Sequence, residues 1–534
     1  MSSDQLQTSD LPETATTAET SAHAQQPARW LSLSYWQWAW LLATVGVAVR
    51  VQQYLYNRSL WLDEALMAFN ILSRSFHELT QQLHFHLVGP LLWLFTEKEC
   101  QLLFGKREMA LRLPQILMGC AGMLLLPLLA RRLLSQRGVA LAVALFALSP
   151  PLIYYSSELK PYGSDAGFAV LVLLAGFWAL EGRATALKIV SIGLVGAAVT
   201  WFSHPALFLL AGLGLAILWS CYERRNWARL AAFTPAFLLW AASFAANYML
   251  ELRRNNADRA LHRAYPFVKL ELLRFGNLED ILESVFVQQQ NPTTLLLGVA
   301  ILASVIGGIF FWRRNRAALL FLFTPLVIAL LFSAATMYPL MGRFYLFFAP
   351  ALALLVAAGA DQVLEATRSS RLPIGSVFFV FLFLQPVLST TNYVMHPRQS
   401  EELRRVLQYV AGHQQPGDTW YVYCYARWPF TYYQQAYALT SPNVVFGSCM
   451  RANRASTRRL YYNWDFLQQD FSRLAGKRVW VIVSHHWMGD GVDEEVYAVH
   501  VLDSMGTRLD MHLEPGAVAY LYDLGKPPSP DSLR

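Results

Sequence analysis

Long apolar runs recur along most of this 534-residue chain and decide which folds are open to it. A helix of about 20 apolar residues crosses the roughly 30 Å hydrocarbon core of a bilayer. The composition agrees with such spans, since 55% of the residues are hydrophobic and only 15% are charged. The sequence therefore predicts an α-helical polytopic membrane protein with about eleven transmembrane helices, at 35–53, 109–130, 138–154, 166–181, 187–203, 205–221, 229–248, 293–312, 317–335, 343–361 and 373–391.

The basic residues between the runs predict the orientation. If all eleven runs span the membrane, one face carries Arg131, Arg132, Arg137, Arg183, Lys188, Arg224, Arg225, Arg229, Arg313, Arg314, Arg316, Arg368 and Arg371. Short loops rich in Lys and Arg stay in the cytoplasm. The amino terminus is then cytoplasmic, and the net charge of +7 is explained by topology, not by nucleic-acid binding.

One apolar segment, 87–104, is excluded from the spans because Thr96, Glu97, Lys98 and Glu99 interrupt it. We interpret it as a helix lying in the interface. The first extracytoplasmic loop, 54–108, is then long and carries two juxtamembrane helices, through 61–76 and through 90–104.

The remaining segments complete the predicted organisation. Residues 1–30 are polar and predict a disordered cytoplasmic tail, ahead of a transmembrane catalytic domain over 31–391. Residues 249–291 form a second long outer loop that is interpreted as a cover. Residues 392–534 predict a small extracytoplasmic α/β domain with a helix in 400–411 and strands at 419–425 and 478–484. In an oxidising compartment Cys424 and Cys449 are candidates for a disulfide.

Two acidic stretches follow apolar runs on the predicted outer face, and they are the candidate active site. A charge beside the hydrocarbon core costs about 2.5 to 3.5 kcal/mol, so it usually serves a function. Asp63 and Glu64 begin the first juxtamembrane helix. An acid at this boundary can serve as a general base that deprotonates a hydroxyl, or as a ligand of a divalent ion. Pairing with the helix dipole is the alternative, above all for Glu64.

The second stretch, 154–165 (YYSSELKPYGSD), combines opposite charges with hydroxyl groups. Lys160 suits a phosphate as a point charge, and Glu158 or Asp165 suits a metal ion or a sugar hydroxyl. A salt-bridged structural loop is the alternative.

Two further residues of the predicted outer face are candidates. Arg343 lies in a short outer loop, where a bound phosphate explains a basic residue better than topology does; a snorkelling arginine is the alternative. His204 lies in an outer turn and is a candidate substrate or metal ligand, with a hydrogen-bonded structural histidine as the favoured alternative. His84 and His86, in the first outer loop, are likewise better explained as structural.

Three ordered landmarks carry a resemblance to a known family: residues 60–65 (LWLDEA), 103–114 (LFGKREMALRLP) and 154–162 (YYSSELKPY). They resemble bacterial glycosyltransferase family 39-like proteins of the GT-C class, relatives of protein O-mannosyltransferases and of the lipid A aminoarabinose transferase. The resemblance covers about residues 1–390 in architecture and is sharp over 50–165.

This resemblance implies a polyprenyl-phosphate sugar donor and a catalytic base at Asp63, with Glu64 beside it. It assigns the donor phosphate or a metal to Glu158, Lys160, Tyr162 and Asp165. Several relatives have the second-loop acid directly before a proline, whereas Lys160 precedes Pro161 here. The choice between Glu158 and Asp165 therefore stays open.

We accordingly expect a hexosyl- or pentosyltransferase of the bacterial inner membrane. It would invert the anomeric carbon and act on an acceptor hydroxyl of a protein, lipid or glycan outside the cytoplasm. A Mg²⁺ or Mn²⁺ ion held by Asp63 and Asp165 is left open. The rival is a polytopic lipid or solute transporter or flippase, which predicts charges at mid-bilayer and paired broken helices.

Overall fold

The computed structural model describes residues 33–257, 294–439, 443–449, 465–486, 488–489 and 492–526, together with Phe267, Ile281 and Val285. The tail predicted for 1–30 and most of the loop predicted for 249–291 lie outside these residues. Of that loop, 249–257 is helical, because the preceding helix continues through a π-helical turn at Tyr248–Leu252 into Arg253–Ala257.

Helices dominate the described residues. The helices of the membrane region are α1 Tyr35–Leu55, α2 Leu62–Ser73, α3 Phe76–Leu79, α4 Leu91–Phe104, α5 Glu108–Leu111, α6 Leu113–Ala130, α7 Gln136–Ala147, α8 Pro150–Tyr155, α9 Tyr162–Leu180, α10 Ala186–Val199, α11 Ala206–Glu223, α12 Trp227–Asn247, α13 Arg253–Ala257, α14 Thr294–Arg314, α15 Arg316–Ala334, α16 Ala349–Ala366 and α17 Ile374–Met395. Short 3-10 helices lie at His84–His86 and Gly342–Phe348.

Among the described residues, eight helices are long and apolar enough to cross a membrane, and α7 and α10 are shorter apolar helices. The helix α1 has 21 residues but is less apolar, with Arg50 and three glutamines. The prediction of one span over 138–154 is corrected, because α7 ends at Ala147 and a separate helix, α8, begins at Pro150. The pair Pro150 and Pro151 explains the break, since proline cannot donate an intrahelical hydrogen bond.

The first outer loop contains the two predicted juxtamembrane helices. The one expected over 61–76 is α2, with Asp63 and Glu64 in its first turn, and the one expected over 90–104 is α4, which starts directly after Pro90. The segment α4 has 14 residues, too few to cross a bilayer.

A small sheet domain follows the membrane region. Its helices are α18 Leu403–His413, α19 Arg427–Tyr437, α20 Asp465–Ser472 and α21 Glu494–Met505. Its strands are β1 Thr419–Val422, β2 Val444–Phe446, β3 Arg478–Ser484, β4 Met488–Gly489, β5 Val492–Asp493, β6 Thr507–Glu514 and β7 Ala517–Asp523.

Five of these strands form one mixed sheet in the order β2-β1-β3-β7-β6, and β4 and β5 form a hairpin. The strand β1 pairs in parallel with β2 and β3, whereas β7 is antiparallel to both β3 and β6. The strand predicted at 478–484 is β3. The one predicted at 419–425 is shorter, because a 3-10 turn starts at Cys424, which forms a disulfide with Cys449.

The described residues share two apolar cores. One lies among the membrane helices. The other joins Leu60, Ala65 and Ala68 of the first outer loop to Trp420 and Tyr433 of the sheet domain. The amino end of α2 therefore packs inside the same core as the C-terminal domain.

Candidate active site

The amino end of α2 is held by side chains that lie far along the chain. The Leu60 amide donates to Tyr433 Oη at 2.6 Å, and the Leu62 amide donates to Glu401 Oε2 at 3.0 Å. The first amides of a helix have no intrahelical acceptor, so they donate to acceptors outside the helix. These contacts fix the position of the backbone directly before Asp63.

Asp63 lies between two cations from different segments. Its Oδ1 is 2.9 Å from Lys160 Nζ, and its Oδ2 is 2.8 Å from Arg343 Nη2. The side chain keeps 17% of its surface exposed. Burial alone raises the pKa of a carboxyl, yet the attraction of Lys160 and Arg343 outweighs it, so the pKa of Asp63 lies below its usual value.

Glu158 faces the same arginine. Its Oε1 accepts from Trp61 Nε1 at 3.3 Å and lies 3.9 Å from Arg343 Nη1. Its Oε2 is buried and finds no hydrogen-bond partner among the described residues. Burial, reinforced by the negative charge of Glu64, raises the pKa of Glu158 to about 7. A carboxyl of this kind exchanges a proton near neutral pH.

Arg343 is oriented by aromatic faces as well as by carboxylates. Its guanidinium carbon lies 4.9 Å from the centroid of the Tyr162 ring and 5.6 Å from that of Trp61. Arginine stacks favourably on such rings. The predicted residues Asp63, Glu158, Lys160, Tyr162 and Arg343 therefore come together in one cluster.

Glu64, the other acid of this turn, is placed differently. Its Oε1 accepts from Arg112 Nε at 2.9 Å and from the Leu159 amide at 2.7 Å, and its Oε2 accepts from Arg112 Nη2 at 2.7 Å. The side chain has no exposed surface. The arrangement differs from the expectation of a catalytic Glu64, because a fully enclosed ion pair offers no approach to a substrate.

A cavity of about 150 Å³ opens beside this cluster. Lys160 and Tyr162 line one part of it, and Asp165, His204 and Tyr338 line another. The wall also contains prolines and apolar side chains, among them Pro161, Pro205, Leu252, Met337, Pro339 and Phe344. Such a mixture, mostly apolar with a few convergent polar groups, is typical of ligand sites.

Asp165 and His204 lie together on the cavity wall. His204 Nε2 is 3.0 Å from Glu251 Oε1, and Asp165 Oδ1 is buried without a hydrogen-bond partner among the described residues. Burial lowers the pKa of a histidine, but the Glu251 carboxylate outweighs it and raises the pKa of His204. Glu251 was not identified from the sequence, because it fell within a segment interpreted as a loop.

A divalent ion at Asp63 and Asp165, which the sequence left open, does not fit the contacts of Asp63. Both oxygens of Asp63 are already paired with Lys160 and Arg343. Within the described ranges, one group of three His, Asp or Glu side chains is close enough to share an ion, and it is His486, Asp493 and Glu495 in the C-terminal domain. The positive charge beside Asp63 therefore comes from side chains.

Sequence reasoning also missed other residues around the cluster. Trp61 lies in the landmark 60–65, but the sequence suggested no role for it. Glu401 and His485 were not identified as candidates. The position of His485 directly after the buried strand β3 was the available signal. His84, interpreted as structural, packs against Phe69 with ring centroids 5.9 Å apart.

Comparisons with known proteins agree with this architecture. Residues 88–249 match the family described as dolichyl-phosphate-mannose-protein mannosyltransferase. No curated protein sequence matches the chain.

Solved structures match over most of the chain. Apo ArnT from Cupriavidus metallidurans matches with a TM-score of 0.52 and 13% identity, over 91% of this chain and 98% of that one. ArnT bound to undecaprenyl phosphate gives a TM-score of 0.51, with the same identity and coverage.

An Archaeoglobus fulgidus oligosaccharyltransferase tethered with an acceptor peptide also matches, with a TM-score of 0.50 and 13% identity, over 90% of this chain and 74% of that one. At such identities the likeness concerns the fold. With the partial family match, it supports the resemblance seen in the sequence: the chain is a multipass membrane protein with a GT-C-like fold, and residues 88–249 are similar to the mannosyltransferase family.

Proposed function

We propose that this protein transfers a sugar from a polyprenyl-phosphate donor to an acceptor hydroxyl on the extracytoplasmic face of the bacterial inner membrane. The observation that carries the proposal is the placement of Lys160. Its ammonium group pairs with Asp63 and also lines the cavity. A donor phosphate at Lys160 therefore comes close to a carboxylate that can accept a proton.

The donor phosphate is assigned to Lys160 and Arg343. Charge-assisted contacts from lysine and arginine are the strong ones for phosphate. Tyr162 lies under Arg343 and would hold its guanidinium in place. The complex of ArnT with undecaprenyl phosphate supports a lipid phosphate as the ligand, because that protein shares the fold.

The transfer step is a displacement with inversion. Asp63 removes the proton of the acceptor hydroxyl while its oxygen attacks the anomeric carbon. The bond between that carbon and the phosphate oxygen breaks, and polyprenyl phosphate leaves with the electron pair. Lys160 and Arg343 balance the charge on the leaving phosphate, which is the larger contribution in such reactions. A general base adds about 10² to 10⁴-fold.

Donor binding would also activate the base. In the free protein both cations lower the pKa of Asp63, which makes it a weak base. The phosphodiester monoanion of the donor, bound at Lys160 and Arg343, competes for the same positive charge. The pKa of Asp63 then rises, so the base strengthens when the donor is in place.

The remaining site residues are assigned to the donor. Asp165 and His204 face the cavity, where an unpaired carboxylate oxygen suits a sugar hydroxyl. Glu158, with one unpaired oxygen, is the second candidate for this contact. Glu64 is assigned a structural role in the ion pair with Arg112.

Replacement of the proposed base tests the function. We expect Asp63→Asn to abolish sugar transfer, measured in liposomes with a panel of polyprenyl-phosphate sugars. Binding of undecaprenyl phosphate should be kept or tightened, because the carboxylate no longer competes for Lys160 and Arg343. Glu99→Gln is the matched control, since Glu99 is an exposed acid of the same outer loop. Normal turnover of the Asp63 variant would refute the assignment.

A further inference from the structure

The first helical turn at Asp63 is capped from the C-terminal domain. Among the described residues, the Trp61 side chain at the N-cap position makes no capping hydrogen bond to α2. The Leu62 amide donates instead to Glu401 Oε2 at 3.0 Å. A carboxylate at a helix amino end satisfies an orphan amide and is attracted by the helix dipole. Glu401 therefore holds the residue directly before Asp63.

Glu401 is in turn held by the end of strand β3. Its Oε1 lies 2.7 Å from His485 Nδ1, and Ser484 Oγ lies 3.4 Å from its Oε2. Glu401 is 9% exposed. A carboxylate with both oxygens engaged has little freedom to turn away from α2.

The backbone at His485 is strained. Its φ is +54°, in the left-handed region that residues other than glycine rarely adopt. Such a conformation persists only where the surroundings hold it, and it is often found at functional sites. At this position it directs the imidazole towards Glu401 and Trp61.

The same imidazole contacts the active-site cluster through Trp61. The two ring centroids are 6.5 Å apart, and Trp61 contacts both Glu158 and Arg343. His485 therefore reaches the start of α2 along two routes, through Glu401 to Leu62 and through the Trp61 ring.

We infer that Glu401 and His485 form a positioning pair of the C-terminal domain that fixes the carboxylate of Asp63 for proton transfer. The membrane helices alone then do not complete the active site. This inference rests on the proposed role of Asp63. A misplacement of about 1 Å at a reacting group costs on the order of 100-fold in rate, so a loose α2 would slow turnover without removing the donor site.

The experiment uses the full chain in liposomes and compares Glu401→Ala, Glu401→Gln and His485→Gly. Glycine accepts φ of +54° without strain, so the His485 variant should keep its melting temperature. We expect kcat to fall about 10- to 100-fold for Glu401→Ala and His485→Gly. The dissociation constant for undecaprenyl phosphate should stay within about twofold, because Lys160 and Arg343 lie on other segments. Glu401→Gln, which retains an acceptor for the Leu62 amide, should recover part of the rate.

Hydrogen exchange gives a readout that does not depend on the reaction. Amides at the start of α2 should exchange faster in Glu401→Ala than in the wild type. His486→Gln is the matched control: His486 pairs with Glu495 at 2.8 Å and should change neither exchange nor rate.

The possible failures are distinct. If Asp63→Asn turns over normally, or if no donor in the panel is consumed, the proposed function fails and exchange still reports on the pair. If Asp63→Asn is inactive while Glu401→Ala and His485→Gly keep the wild-type kcat, the positioning pair fails alone. Equal losses of kcat and of lipid-phosphate affinity would also overturn it, because they indicate a general collapse of the site.

Discussion

Asp63, the proposed base, has a pKa that depends on the two cations beside it. In the free protein Lys160 and Arg343 lower its pKa, so it stays ionised to unusually low pH. A base must be deprotonated to act, and the acid limb of a rate profile reports its pKa. The limb for kcat/KM reports the free protein, and the limb for kcat reports the donor complex.

We therefore predict that the two acid limbs differ. The limb for kcat should lie at higher pH than the limb for kcat/KM, because the donor phosphate draws the two cations away from Asp63. The profiles are measured with the donor varied at saturating acceptor. Coincident limbs, or a kcat limb at lower pH, would contradict donor-dependent activation of the base.

The two cations themselves carry a separate prediction. We expect Lys160→Ala and Arg343→Ala each to weaken the binding of undecaprenyl phosphate about 10- to 100-fold, the equivalent of a charge-assisted hydrogen bond. Calorimetry in detergent measures the dissociation constants. Lys106→Ala is the control, since Lys106 is an exposed cation of the first outer loop. Wild-type affinity in both site variants would remove the phosphate role.

At the scale of elements, local patterns were readable and distant pairings were not. The apolar runs and the strand 478–484 follow from neighbouring residues. Their described parts lie mainly in helices and in β3, although the run 138–154 is divided between α7 and α8. The partner of Asp63 at Arg343 is 280 residues away. No periodicity encodes that distance. The burial of Glu64 was equally unreadable from the sequence, because its ion pair with Arg112 forms only in the folded loop.

The close packing of α14 on α16 gives a prediction about elements. A side chain added at Gly307 would place its Cβ 1.9 Å from the Leu355 carbonyl oxygen, and one at Gly359 would lie 1.8 Å from the Ala303 oxygen. At Gly308 no described heavy atom lies within 4 Å of such a Cβ. Small residues allow membrane helices to approach at their backbones.

We expect Gly307→Ala to destabilise the protein by about 1 to 3 kcal/mol or more, as overpacking does. Gly308→Ala, one position along the same helix, should be neutral or slightly stabilising, because alanine favours helix. Melting temperatures in detergent compare the two variants. Equal melting temperatures would show that the helices separate without cost.

The whole molecule joins its membrane helices to its C-terminal domain through the first outer loop. Leu60, Ala65 and Ala68 lie in the same core as Trp420 and Tyr433. The division at residue 392, predicted from a change in composition, stays a prediction about domains. The shared core was not readable from composition, because each half of it looks like an ordinary amphipathic segment.

A chain ending at His396, the residue after α17, tests this coupling. We expect it to lose transfer, because the amides of Leu60 and Leu62 lose Tyr433 and Glu401, and the apolar face of α2 loses its cover. Hydrogen exchange over residues 59–73 should become much faster.

The membrane helix α11 serves as the internal reference, since its packing on α15 lies wholly within the retained part. Slow exchange of α2 in the shortened chain would mean that the membrane region orders the active-site turn by itself. Fast exchange in both α2 and α11 would mean that the deletion unfolds the membrane region as a whole, so the expected result is loss of protection confined to the first outer loop.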